Sequence, residues 1–270
     1  MMPLGLGEAV LVAWACMAAA MVVLWLVQLR TGDASIVDVG WAYGTGAVGV
    51  ALVGTAGGGD SARGAVAAAM VAVWSARLGV HLWRRVRASA REEGRYRYLR
   101  EALGARAGVG LFAFFQVQAA WAVMFAMPVW AAGEATRALD WLDGFGVAVW
   151  AAGVLGESVA DRQLARFRAD PRRAAQACDT GLWGWSRHPN YFFEWLQWWG
   201  FVSLGAGSEY WWVTVAGVVV MYVFITRITG IPYTERQAMR SRGDAYRRYR
   251  ERVPAFFPRS PRPRTTGSER

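Results

Sequence analysis

Lysine is absent: all 30 basic residues of the 270-residue chain are arginine. Cysteine and histidine are nearly absent, at two each. Cys16 falls inside an apolar run and Cys178 in a polar loop, so no disulfide framework is laid out. With only His81 and His188 beside them, the usual zinc knuckle is excluded, and no metal is expected. Both thiols suit small buried hydrophobes. Also missing are an internal repeat, a domain linker and any long soluble stretch, which leaves one expected domain over residues 1–258 and a disordered Pro/Arg/Ser-rich tail over 259–270.

What the chain has is apolar length. It is 55% hydrophobic with 16 Trp and a mean hydropathy of +0.19. Runs near residues 9–28, 36–53, 64–83, 109–131, 142–159, 192–204 and 210–228 approach the ~20 residues needed to cross a bilayer core of about 30 Å. The expectation is an all-α integral membrane bundle of seven transmembrane helices. The first run lacks a basic leader and a clear cleavage site, so it reads as a retained span.

The net charge of +10 would suit nucleic acid, but its placement does not. Arginines crowd the connectors after the third run (Arg84, Arg85, Arg87, Arg91), after the fifth (Arg162, Arg166, Arg168, Arg172, Arg173) and after the seventh. The connectors 57–63, 132–140 and 205–209 are nearly free of them. That alternation puts the N-terminus outside and the C-terminus in the cytosol. No nucleic acid is expected, and membrane lipids are the expected surroundings. Residues 235–252 read as a basic helix on the membrane face, broken at Gly243 and ended at Pro254.

Polar chemistry concentrates in GLWGWSRHPNYFFEWLQWWG, residues 181–200. With a helix starting at Pro189, Asn190, Glu194 and Gln197 fall at i, i+4 and i+7, on one face of an otherwise lipid-suited segment. Such groups are costly in hydrocarbon and should face a cavity or ligand. Ser186, Arg187 and His188 precede that helix, where free N–H groups attract anions such as a cofactor phosphate. The alternative is an interfacial anchor, with Tyr191 and the tryptophans at headgroup level.

Other intramembrane polar residues could join such a site. Asp38 sits one turn inside the second run, with Trp41 at i+3 on the same face. Trp74, Arg77 and His81 share a face of the third run, although Arg77 could simply snorkel. Arg95 and Tyr98 in REEGRYRYLRE suit phosphate and ring contacts, as does a solvated helix. Glu157, Asp161 and Arg168 close the fifth run. GTGAVG at 44–49 matches a dinucleotide fingerprint, but without a preceding strand it reads as small residues letting helices approach closely.

At GLWGWSRHPNYFFEW and the tail RGDAYRRYRERVPAFFP, with SIVDVGWAYG and RLGVHLWRRVRASAREEGRY in support, the chain resembles the bacterial membrane branch of the steroid 5-alpha-reductase family. The resemblance covers about residues 36–258. It implies a bacterial inner-membrane oxidoreductase that transfers hydride from NADPH to the C=C bond of a 3-oxo-4-ene steroid or similar lipid enone. Carried over by position, the cofactor residues are Asp161, Arg168, Asn190 and Glu194, with Glu235, Arg236 and Tyr246 in the tail. To these the local chemistry adds Arg95, Tyr98, Arg187, His188 and Tyr191. The family's carbonyl-binding pair is an acid in the second span and a tyrosine in the third. Asp38 matches the acid, while the tyrosine position falls on Trp74, which has no hydroxyl to donate. The same RHPxY segment and tail also resemble S-adenosylmethionine-dependent membrane methyltransferases of isoprenylcysteine or phospholipid type, although those carry paired glutamates after the last span and this chain has one acid in YTERQAM. A non-enzymatic transporter or scaffold is the third class.

Overall fold

A computed structural model describes residues 5–55, 59–89 and 91–260, and every regular element among them is helical. The α-helices are α1 (Leu6–Thr31), α2 (Ile36–Val53), α3 (Ser61–Ala88), α4 (Gly94–Leu103), α5 (Ala107–Gly133), α6 (Trp141–Arg168), α7 (Pro189–Gly205), α8 (Trp211–Val223) and α9 (Ile231–Arg252). Six helical stretches are long and apolar enough to cross a membrane. Helix α7, at 17 residues, is not among them. The tail expected to be disordered lies, from residue 261 onward, outside the described residues.

Local chemistry sets the helix ends. The Asp60 carboxylate accepts from Ala62 N at 2.8 Å and Arg63 N at 3.3 Å, capping α3. Pro189 opens α7 as the sequence leads one to expect. Gly104, at φ 51°, separates α4 from α5, and Gly243, at φ 49°, kinks α9. A π-helical turn, Phe224–Ile228, ends α8.

The chain divides into two compact units, residues 1–146 with 201–217, and residues 147–200 with 218–270. The first unit is built on α1, α2, α3 and α5, whose core includes Met21, Val37, Leu52, Leu111 and Phe115. Here the glycines of GTGAVG pack helices. A Cβ on Gly46 would lie 2.3 Å from the Ser75 side chain, and Ser75 Oγ donates to Ala42 O at 2.9 Å. The same unit buries Arg63 completely, at 0% exposure. Its guanidinium bonds both Asp143 oxygens, at 2.9 and 3.1 Å, and the carbonyls of Ala135, Arg137 and Ala138. Arg137 grips Asp143 and the carbonyls of Ser203 and Ala206.

In the second unit α6 and α7 pack backbone to backbone. A Cβ on Gly153 would sit 2.7 Å from Gln197 Cβ and 2.8 Å from Gln197 N, and one on Gly156 would strike the Phe193 ring. The C-terminal strap adds Phe256 and Phe257 to a cluster of edge-on rings with Phe192, Trp195 and Tyr222.

Candidate functional site

In the first unit, Asp38 is held from α4. Arg95 Nη2 donates to Oδ2 at 2.5 Å and Tyr96 Oη to Oδ1 at 2.6 Å. The Arg95 guanidinium also lies over the Tyr96 ring, 4.7 Å from its centre. Helix α4 is fastened to the α1–α2 turn: Glu92 accepts from Ala34 N at 2.9 Å and from Arg100, and Glu93 N donates to Ser35 Oγ at 3.0 Å. Trp74 is buried, its ring edge-on to Trp41 at 6.1 Å. The hydroxyl beside Asp38 therefore comes from Tyr96, a residue the sequence reading passed over. Tyr98, expected as a cofactor contact, is 57% exposed. The signal was available in the spacing: residues two apart on a helix face nearly opposite ways, so Tyr96 and Tyr98 cannot share a site. Asp38 takes hydrogen bonds from a guanidinium and a phenol and so serves here as an acceptor.

In the second unit, Ser186, Arg187 and His188 fasten the tail. Arg187 Nε and Nη2 reach Glu235 Oε1 at 2.7 and 2.6 Å, while Nη1 donates to the carbonyls of Arg250 at 3.1 Å and Val253 at 2.7 Å. Its backbone N–H donates to Pro254 O at 2.9 Å. Ser186 Oγ donates to Phe256 O at 2.8 Å and Tyr249 Oη to Trp183 O at 2.6 Å. His188 lies 3.4 Å from Glu235 Oε1 and stacks on Tyr191 at 5.5 Å. Burial pushes its imidazole below the ordinary value of 6.5, and Glu235 opposes that shift only in part. Tyr191 Oη is 3.2 Å from Thr234 Oγ1. Tyr246 is buried edge-on to Tyr249, and Arg236 is exposed, its Nε bonded to Pro232 O. Where an anion contact was expected from Arg187 and His188, and ring or nucleotide contacts from Glu235 and Tyr246, these four side chains join in an internal clamp. An arginine fork aimed at an anion and one aimed at chain carbonyls look the same in sequence.

One turn beyond the clamp, the expected polar face of α7 meets α6. Asn190 Nδ2 lies 3.4 Å from Asp161 Oδ1. Gln197 Nε2 donates to Glu194 Oε2 at 2.8 Å and to Glu157 Oε2 at 3.3 Å, and Trp198 Nε1 lies 3.5 Å from Glu194 Oε1. Two acceptors on this face, Asn190 Oδ1 and Gln197 Oε1, are buried without a hydrogen-bond partner. Arg168, at the end of α6, is exposed. Among the described residues no three His, Cys, Asp or Glu side chains gather so as to hold a metal ion.

A helical chain with several membrane-length apolar stretches and a polar ladder between two of its helices is, by length and composition, an integral membrane protein. It belongs to the family described as Protein of unknown function (DUF1295), whose model matches residues 24–253. Neither the curated proteins nor the solved structures contain a match to it.

Proposed function

We propose that this protein is a membrane oxidoreductase of the steroid 5-alpha-reductase type, reducing the C=C bond of a 3-oxo-4-ene steroid or similar lipid enone with NADPH. The observation that carries the reading is the α6–α7 ladder, where Asn190 meets Asp161, Gln197 meets Glu194 and Glu157, and Asn190 Oδ1 is left over as an unpaired acceptor. Such an acceptor suits an N–H donor, and a nicotinamide carboxamide brings one. Asp161, Asn190 and Glu194 would hold that end of the cofactor, and the exposed guanidinium groups of Arg168 and Arg236 would face its phosphates. Arg187, His188, Glu235 and Tyr246 support the wall from behind.

NADPH supplies hydride; the protein supplies position, exclusion of water and a place for charge. Reduction at the β-carbon of an enone puts negative charge on the carbonyl oxygen, which needs a donor aimed at it. The Asp38–Tyr96 pair within the first unit is an acid and a hydroxyl of the kind the resemblance assigns to that task.

In this reading α7 counts as a seventh span, with the N-terminus outside, the C-terminus cytosolic and the protein in a bacterial inner membrane. The arginine count supports that orientation, because Arg63 and Arg137 at the sparsely basic ends are absorbed by Asp143. The test is NADPH consumption by detergent-purified protein given testosterone or progesterone. Steroid-dependent consumption, lost in Asn190→Ala and Glu194→Ala, is the expected result. No consumption with any enone, together with tight S-adenosylmethionine binding, would replace the reductase by a methyltransferase built on the same tail clamp.

A further inference from the structure

Gln197 lies two turns along α7 from Asn190, about 10 Å by helical rise, and is 1% exposed. Its Nε2 donates to carboxylates from two helices, Glu194 at 2.8 Å and Glu157 at 3.3 Å. Those two bonds orient the amide, with Nε2 turned to the carboxylates and Oε1 to the other side. The side chain cannot swing aside either, since Gly153 brings the α6 backbone against Gln197 Cβ. Oε1 is buried and has no hydrogen-bond partner. Buried carbonyl-type oxygens are nearly always paired in folded proteins, so an orphan this rigidly oriented calls for a donor from outside the chain.

We infer that Gln197 Oε1 accepts a hydrogen bond from a hydroxyl group on the membrane-borne ligand, and so selects an alcohol over the matching ketone. The inference rests on the reductase reading, in which the reacting end of the lipid lies near Asn190 and a more distant part of the same molecule reaches Gln197. A ketone oxygen at that point would meet Oε1 lone pair to lone pair, whereas a hydroxyl donates.

The probes are dihydrotestosterone and androstanedione, saturated steroids that differ in one hydroxyl against one ketone and have no ring double bond left to reduce. Each is titrated into the detergent-solubilised full-length protein, with binding followed by quenching of tryptophan fluorescence. The alcohol is expected to bind roughly tenfold more tightly than the ketone, the worth of about one net hydrogen bond. In Gln197→Met that ratio should fall to near one. Equal affinities in the unaltered protein, no saturable binding of either steroid, or a preference that survives in Gln197→Met would each overturn the inference. The unaltered protein gives the ratio by itself, so a variant that fails to fold leaves the comparison intact. If the alcohol preference stands while no enone is reduced, the hydroxyl site remains and only the proposed reaction is lost.

Discussion

Arg187 and Asn190 are three residues apart, and the structure uses them in opposite ways. Around Arg187 every bond closes inward: its fork is shared between one carboxylate and two chain carbonyls, and the neighbouring serine and tyrosine bond carbonyls as well. Around Asn190 and Gln197 the donors are used but two acceptors remain. A cluster whose hydrogen bonds all close holds a fold together, while one that leaves oriented atoms over is ready for a guest.

The largest effect should come from breaking the closed cluster. Arg187→Ala leaves Glu235 in a largely enclosed site without its main partner and strips two tail carbonyls, a loss of about 3–5 kcal/mol for a buried pair. Denaturant unfolding in detergent would measure it. A loss below about 1 kcal/mol would mean that the tail is held by its aromatic strap instead.

In the open cluster, Asn190→Ala should do little to stability, within about 1 kcal/mol, yet lower NADPH-dependent turnover on the order of a hundredfold if one buried acceptor is the cofactor's partner. Equal losses of folding and turnover would erase the contrast between the two clusters.

Gly153→Ala tests whether the open face depends on close helix approach. Its new Cβ would overlap Gln197 Cβ and N, costing about 1–3 kcal/mol of overpacking. The alcohol preference assigned to Gln197 should weaken along with stability, as thermal unfolding and steroid titration on the same sample would report.

Tyr96→Phe removes one hydrogen bond to Asp38 while Arg95 stays, for about 1 kcal/mol of stability.

The smallest effect is on pH. Burial lowers the folded-state value of His188 from its ordinary 6.5, so the folded state favours the neutral ring. Its contribution is full above pH 6.5 and is lost as the pH falls through the lowered folded value, because the unfolded chain takes up the proton first. Stability measured between neutral and mildly acidic pH should decline, and His188→Gln should flatten that decline.

Much of this architecture is legible along the chain. Apolar runs mark the membrane-length helices because a helix must satisfy its own backbone in lipid, whatever it packs against. Pro189 and Gly243 mark a start and a kink because their backbone preferences are local. The polar face of Asn190, Glu194 and Gln197 follows from the helical period alone.

Only the tertiary structure decides which groups those residues meet. That Arg187 reaches Glu235, 48 positions on, that Tyr96 and not Trp74 brings a hydroxyl to Asp38, and that Arg63 vanishes beneath three carbonyls are outcomes of packing between distant segments. Sequence determines which groups can donate or accept. Three-dimensional proximity determines which of those bonds close, and the atoms left over, Asn190 Oδ1 and Gln197 Oε1, can be seen only after the rest have been paired.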